Sequence, residues 1–457
     1  QKIHFVGIGG IGMSGLAQIM KNMGFKIQGS DMVNSKNVER CKKIGIKVFK
    51  SHKKENIHNI SILIKSSAIK NNNPEIKAAK EKKISILKRA EMLAHVVSLK
   101  TNIVVSGSHG KTTTTSLISN ILSSAKFDPT IINGGIINSF NSNARLGKGN
   151  WAVLEADESD GSFLNFPINY SVITNIDKEH MEFYKKFDNL KKLFLKFLNK
   201  TPLIGKSFVC IDDYEIKKLI NKVKNKNFYT YGFSKKSDFQ AFNVRFKKKY
   251  SVFDLRLPIR GPKKIIVKNI KLNLIGAHNV LNSLAAVSLC LHIGIKMNII
   301  KKSLKSFSGI QRRLTKVFQI KEREFYDDYA HHPTEIKEVL DGVKNVYKDY
   351  EKICIFQPHR ISRLKDLKKE FTYAFKNADK VILFPIYTAG EKLKLGFSYT
   401  NFAKEIIKNS KVQLFLVDDR FQLAKFIKAN IYGKKIVIGM GAGTISGWMR
   451  ELPKLIS

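Results

Sequence analysis

The chain has 457 residues, 43% of them hydrophobic, which is material for roughly three domains of ~100–200 residues. Four dispersed cysteines, Cys41, Cys210, Cys290 and Cys354, have no C-x-x-C spacing, which favours buried thiols in a reducing compartment over disulfides or zinc; no stretch reaches the ~20 apolar residues of a membrane span, and no signal peptide is visible. The net charge of +44 is spread along the chain, as in Lys185-Lys186, Lys247 to Lys249 and Lys301-Lys302, whereas nucleic-acid binders cluster cations with aromatics, so it reads as solvated surface and not as a nucleic-acid site.

The first element is an apolar run into a Gly-rich turn, Ile3-His-Phe-Val-Gly7-Ile-Gly9-Gly10-Ile11-Gly12. Gly7-x-Gly9-x-x-Gly12 has the spacing of a dinucleotide fingerprint, with phosphates at a helix N-terminus. Asp31, nineteen residues past Gly12, suits a ribose hydroxyl. The pattern accommodates NAD and a UDP group equally well. Ser66 and Ser67 follow another strand, Ile62 to Lys65, and can serve the same diphosphate or simply cap a helix. Residues 1–98 are expected to form this first, Rossmann-like domain.

A second run, Ile103-Val-Val-Ser106, enters Gly107-Ser108-His109-Gly110-Lys111-Thr112-Thr113 and opens a helix. This is a shortened phosphate loop, since the full Walker spacing needs Gly where Val105 stands. Its amides wrap phosphates, Lys111 neutralises them and Thr112 can hold a metal ion. Val153-Leu-Glu155-Ala-Asp157-Glu158-Ser159-Asp160 then crowds four carboxylates at a strand end. Such repulsion suits Mg²⁺ shared with phosphates. Thr174-Asn-Ile-Asp177-Lys-Glu179-His180 adds a histidine that either completes a second cation site or is structural. Short strands and turns from Asp238 to Leu274, with Pro258-Ile-Arg-Gly-Pro262, suggest a small antiparallel insertion. Gly276-Ala-His278-Asn279-x-x-Asn282 opens a helix of small residues. Residues 99–310 are expected to form a central P-loop α/β domain.

The remainder, 311–457, alternates strands and helices again. Such alternation predicts parallel sheets covered by helices. Asp327-Asp-Tyr329-Ala-His331-His332-Pro333-Thr-Glu335 follows a strand and starts a helix at Pro333. Paired histidines suggest zinc, but no cysteine or third spaced ligand supports it. Phe356-Gln-Pro-His359-Arg360-x-x-Arg363 can fork two arginines onto a carboxylate or phosphate. A third Gly-rich turn, Gly439-Met-Gly441-Ala-Gly443, lies near the C-terminus. An oxidoreductase reading of the first Gly loop leaves the second without a role, and a nucleic-acid binder rests on charge alone.

Taken in this order, the clusters resemble the Mur ligase family of peptidoglycan precursor synthesis over essentially the whole chain. The resemblance rests on Gly7 to Ala17, Gly107 to Thr114, Glu155 to Asp160, Asp327 to Glu335 and Tyr387-Thr-Ala-Gly-Glu391. Asn133-Gly-Gly135 and Asn143-Ala-Arg145 point to the branch that adds L-alanine. It implies a three-domain α/β ligase, a bacterial cytoplasmic enzyme acting as monomer or homodimer. ATP activates the lactyl carboxylate of UDP-N-acetylmuramate as an acyl phosphate, and the amine of L-alanine displaces phosphate. It further implies UDP-substrate contacts from Gly9, Gly10, Ile11, Gly12, Asp31, Ser66, Ser67, Asn143, Arg145, Ser159 and Asp160. ATP would meet Gly107 to Thr113, His278, Asn279, Asn282 and Arg313, or its neighbour Arg312. One Mg²⁺ ion, or Mn²⁺, would sit on Thr112 and Glu155, and a second on His180. Tyr329, His331, Arg360 and Arg363 would hold the amino acid, and Lys111, His180, His331 and the two arginines would be catalytic. Three departures are Leu314 where Phe is common, Ile361-Ser362 where Tyr-Thr is common, and Leu195 where several relatives carry a modified lysine. No modified lysine is therefore expected, although Lys196 stands next to that position.

Overall fold

A computed structural model describes residues 2–159, 161–258, 265–391 and 398–456. It contains three sheets. The first is all parallel, in the order Lys47–Phe49, Lys26–Ser30, Lys2–Val6, Ile62–Lys65, Ser85–Lys88. Its order reverses at Lys2–Val6, and the Gly-rich turn follows that strand directly, as open parallel sheets place their ligand crevices.

The second sheet has ten strands. Its parallel centre runs Lys206–Cys210, Tyr170–Ile173, Thr101–Ser106, Trp151–Glu155, Thr130–Ile137. Ile103, Val104 and Val105 are fully buried, as expected of a β-branched strand covered on both faces. The antiparallel segment foreseen after Asp238 does form, as Phe239–Lys247, Tyr250–Arg256 and Ile266–Leu272. It does not stand apart, because Phe239–Lys247 pairs in parallel with Phe228–Gly232 and extends the main sheet. The turn foreseen at Pro258 to Pro262 falls largely outside the described residues. At the other edge the hairpin Thr130–Ile137 with Ser142–Arg145 packs on the first helix, Ile11–Asn22, where Asn143 Nδ2 donates to the Ile11 carbonyl at 2.8 Å.

The third sheet runs Thr315–Ile320, Arg323–Asp328, Lys435–Met440, Glu351–Phe356, Lys380–Leu383, Gln413–Leu416, antiparallel only at the first pair. The expected class, three-domain α/β with parallel sheets, is thus what the chain adopts.

Helix Lys111–Ser124 explains its run of threonines and serines. From Thr112 to Ser119 every residue is buried, between the central sheet and helix Ala277–His292. Small side chains let both surfaces approach. Their hydroxyls fold back onto the helix, Ser116 to the Thr112 carbonyl and Ser119 to that of Thr115, each at 2.7 Å.

Beneath the first Gly-rich turn lies a fully buried carboxylate, Glu75. It accepts from Ser30 Oγ and Asn56 Nδ2 at 2.6 Å and lies 2.9 Å from His52 Nδ1 and 3.3 Å from His4 Nε2. Ser30 in turn receives the Gly7 and Ile8 amides on its carbonyl, at 2.9 and 3.1 Å. Burial disfavours the Glu75 charge, but the bonds from His4, Ser30 and Asn56 prevail and hold it below the ordinary carboxylate range. A depressed carboxylate stabilises the fold above its unfolded pKa and loses that contribution as pH falls through its folded value. Glu75→Ala should therefore cost about 3 kcal/mol in denaturant unfolding at neutral pH, and the difference from the parent should shrink on acidification.

Candidate active site

The phosphate loop turns on backbone that only glycine accepts easily. Gly107 has φ +133°, and a Cβ there would lie 2.1 Å from Thr174 Oγ1. Gly110, φ +80°, caps helix Lys111–Ser124 with no side-chain bond. The helix's first amides are thereby left for an anion. The loop is clamped to the next strand end. His109 N donates to Asn175 Oδ1 at 2.8 Å, and the Asp177 amide donates to Ser108 Oγ at 2.8 Å.

Lys111 is the charge centre. Its ammonium donates to the Gly107 and Ser108 carbonyls at 2.6 and 3.1 Å. It also pairs with both oxygens of fully buried Glu158, at 2.8 and 3.0 Å. Burial opposes its charge, but Glu158 and Asp157 outweigh that and raise its pKa. Glu155 accepts from Thr112 Oγ1 at 3.0 Å and from the Gly134 amide at 2.6 Å. A Cβ on Gly134 would lie 2.5 Å from this carboxylate, so the Asn133-Gly-Gly135 segment owes its glycine to that approach. Burial pushes the Glu155 and Glu158 carboxyls up, against the pull of Lys111.

The residues expected to hold the two ions lie in two groups. Thr112 and Glu155 are together. His180 instead meets Asp157 and Glu158, one donor atom of each lying within 4.8 Å of the others. His180 has φ +58° and stands 3.9 Å from Glu158 Oε1 and from Glu182 Oε1. Burial lowers the pKa of His180, while Glu182 and Glu179 more than restore it. Glu158 was visible in the acidic run but had been given no role of its own.

Between the second and third sheets lies a cavity of about 910 Å³, lined by His109, Gly110, Thr113, His278, Asn279, Asn282 and Arg313, among others. This brings together the residues read as the nucleotide end. Asn282 Oδ1 accepts from Thr114 Oγ1 at 3.3 Å and sits against Gly110. Asn279 Nδ2 donates to the Ile275 carbonyl at 2.7 Å, and His278 Nδ1 lies 3.6 Å from Glu338. The two neighbouring arginines part company. Arg313 faces the cavity, 3.6 Å from Glu335. Arg312 turns away, donating to the Gly441 carbonyl at 2.7 Å and stacking over Tyr329 at 4.6 Å.

Of the four residues expected to hold the amino acid, Arg360 and Arg363 line a small cleft with Glu179, His180, Glu182 and Ser362, whereas Tyr329 and His331 do not line it. Arg360 bonds Glu182 and Glu391, each at 2.8 Å, and Arg363 bonds Glu179 at 3.2 Å. Sequence reasoning missed Glu182 and the pairing of all three acids with the arginines, although Glu179 and Glu391 lay inside quoted motifs. His180's bond is the first cause holding Glu182 at about 2. Burial acts against the Glu179 charge, but Arg363 brings it to about 2. His331 Nδ1 is 2.9 Å from the Tyr329 carbonyl. Burial, reinforced by Arg363, pushes His331 down to about 3, so it is neutral.

At the first sheet, Asp31 accepts from the Gly9 amide at 2.8 Å and from Val33 N at 3.0 Å. Gly10 caps the helix that starts at Ile11 without a side-chain bond. Ser66 packs against Gly7, and Ser67 follows it in the turn after Ile62–Lys65. The guanidinium of Arg89, which sequence reasoning overlooked, lies 3.2 Å from where Gly12 would carry a Cβ. It sits at the start of helix Arg89–Val97, with only a lone arginine as signal. Asn143 reaches this loop, whereas Arg145 is paired with Asp128 at 2.5 Å. Ser159 N donates to Asp157 at 3.0 Å, and Asp160 lies outside the described residues.

Family models cover nearly the whole chain: "Mur ligase family, catalytic domain" over residues 2–101, "Mur ligase middle domain" over 105–290 and "Mur ligase, glutamate ligase domain" over 312–443. A UDP-N-acetylmuramate–L-alanine ligase from Pelagibacter ubique is 63% identical, covering 99% of this chain and 98% of that protein. One from Parvibaculum lavamentivorans is 42% identical over 99% and 92%. The crystal structure of UDP-N-acetylmuramate-alanine ligase from Thermotoga maritima superposes with TM-score 0.83 at 28% identity, covering 99% and 98% of the two chains. With three Gly-rich strand ends, a paired phosphate-loop lysine and full-length likeness all in agreement, the chain belongs to the Mur ligase family.

Proposed function

We propose that this chain is an ATP-dependent ligase that joins L-alanine to the lactyl carboxylate of UDP-N-acetylmuramate, the first amino-acid addition in peptidoglycan precursor synthesis, carried out in the cytoplasm. The arrangement that carries the reading is the charged relay from the phosphate loop to the arginines: Lys111 pairs with Glu158, His180 stands 3.9 Å from both Glu158 and Glu182, and Glu182 pairs with Arg360. Division into working units at residues 98–99 and 310–311 fits the three sheets.

The loop amides and Lys111 cradle the β- and γ-phosphates of ATP, and Arg313 approaches them from the third unit. Phosphoryl transfer needs positioning and charge neutralisation above all. Thr112 with Glu155, and Asp157 with Glu158 and His180, suit Mg²⁺ and would each hold one ion, which would supply positive charge against that of the phosphates. The UDP moiety lies on the Gly9–Gly12 turn, braced by Asp31, with Arg89 beside the diphosphate. Its lactyl carboxylate attacks the γ-phosphorus and expels ADP, giving an acyl phosphate. The alanine amine, its carboxylate gripped by Arg360 and Arg363, attacks that carbonyl. The tetrahedral adduct expels phosphate and leaves the amide. Neutral His331 sits beside the arginines without adding charge. Glu179 and Glu182 hold the arginines ready, and the substrate carboxylate replaces one acid with another. Docking of the third unit excludes water that would hydrolyse the acyl phosphate.

ADP release should require UDP-N-acetylmuramate and L-alanine together; turnover indifferent to the muramate would overturn the assignment. Lys111→Ala should lower kcat by at least about 10²–10³-fold with an unchanged circular dichroism spectrum, and an active variant would remove the loop from the mechanism. Arg360→Ala should raise the KM for alanine by roughly tenfold or more, the scale of a lost charged hydrogen bond, with a much smaller change in the KM for ATP.

A further inference from the structure

Of the paired histidines that lacked a third ligand in the sequence, only His332 gains such partners in space among the described residues, and they are His109 and Asp177, not His331. His109 Nε2 lies 3.1 Å from Asp177 Oδ2, and His332 Nδ1 lies 3.7 Å from the same oxygen. One donor atom from each of the three residues fits within 4.8 Å of the others. The two imidazoles face one another with centroids 4.5 Å apart. His332 is 2% exposed, and its Nε2 has no hydrogen-bond partner among the described residues. Its Nδ1 caps helix Pro333–Val346, accepting from Thr334 N at 3.3 Å and from the backbone of Glu335.

We propose that His109, Asp177 and His332 form a binding site for a transition-metal dication of the zinc class, separate from the two oxygen-rich Mg²⁺ sets. A tetrahedral zinc shell with bonds of 2.0–2.2 Å has donor–donor edges of roughly 3.3–3.5 Å. The observed 3.1 and 3.7 Å bracket that value. Two nitrogens and one carboxylate favour zinc, cobalt or nickel over magnesium. The surroundings are those of a metal histidine. The other ring nitrogen of His109 faces Glu335 Oε1 at 3.5 Å, and Thr334 Oγ1 donates to Asp177 Oδ2 at 2.6 Å. Partners of this kind fix the tautomer and aim of a ligating imidazole and orient a ligating carboxylate. All three candidate ligands line the large cavity, so water can complete the shell. On binding, the proton shared by His109 and Asp177 leaves to solvent.

The site spans the seam. His109 and Asp177 belong to the unit of the central sheet, His332 to the unit of the third. A bound ion would tie the two together.

The test is a cobalt titration of the full chain, without nucleotide and in excess Mg²⁺, read by visible d–d absorption. One equivalent should give the bands of four-coordinate nitrogen–oxygen ligation. His332→Asn, which keeps a good helix-capping side chain, should weaken that binding tenfold or more, as should Asp177→Asn. His180→Asn, in the other cation cluster, should leave it unchanged. Absent bands in the parent protein, or unaltered affinity in the His332 and Asp177 variants, would overturn the site.

Discussion

The structure depends on a single electrostatic constraint: charge carried into the interior at the strand ends must be matched there. Lys111 is held by Glu158 and two carbonyls, and Glu155 by a hydroxyl and an amide. Isolated, either charge would cost several kcal/mol to bury. A parallel sheet solves the placement, because its strand ends converge on one edge, where helix amides can also point. The same solution is used at the Gly9 turn with Asp31 and at the Arg360 cleft. A triphosphate and cations fit this scheme by entering a network already arranged for opposite charges.

The seam between the central and third sheets joins apolar packing of Ile275 to ionic contacts, Arg363–Glu179, Arg360–Glu182 and His278–Glu338. Several of these groups are partly exposed, so exchanging one carboxylate for another costs little. A seam of this chemistry can trade a protein carboxylate for that of a substrate. A wholly apolar seam would offer no such exchange.

What the sequence made legible was local. The strand–turn–helix units at Gly7 and Gly107, the acid run at Glu155 and His180 all carry a pattern within about ten residues. What it hid were partners far along the chain. Glu179 and Arg363 are 184 residues apart, Thr334 and Asp177 157. Nothing in the spacing of Glu179, Glu182 or Glu335 distinguishes them from solvated surface acids. The antiparallel segment was readable as strands, but its attachment to the central sheet depends on pairing with Phe228–Gly232, a strand that the alternating pattern had not revealed. Arg312 and Arg313 were inseparable by sequence; backbone with φ +61° at Arg312 sends them in different directions.

The cavity behind the phosphate loop has walls from both units, His278 and Asn282 on one side, Arg313 and Glu335 on the other. A small molecule that filled it would be caged by the seam itself. Its escape would wait on separation of the units, so its residence time would follow how often the ionic contacts let go, and salt that loosens them would shorten that time even where equilibrium contacts inside the cavity stayed the same.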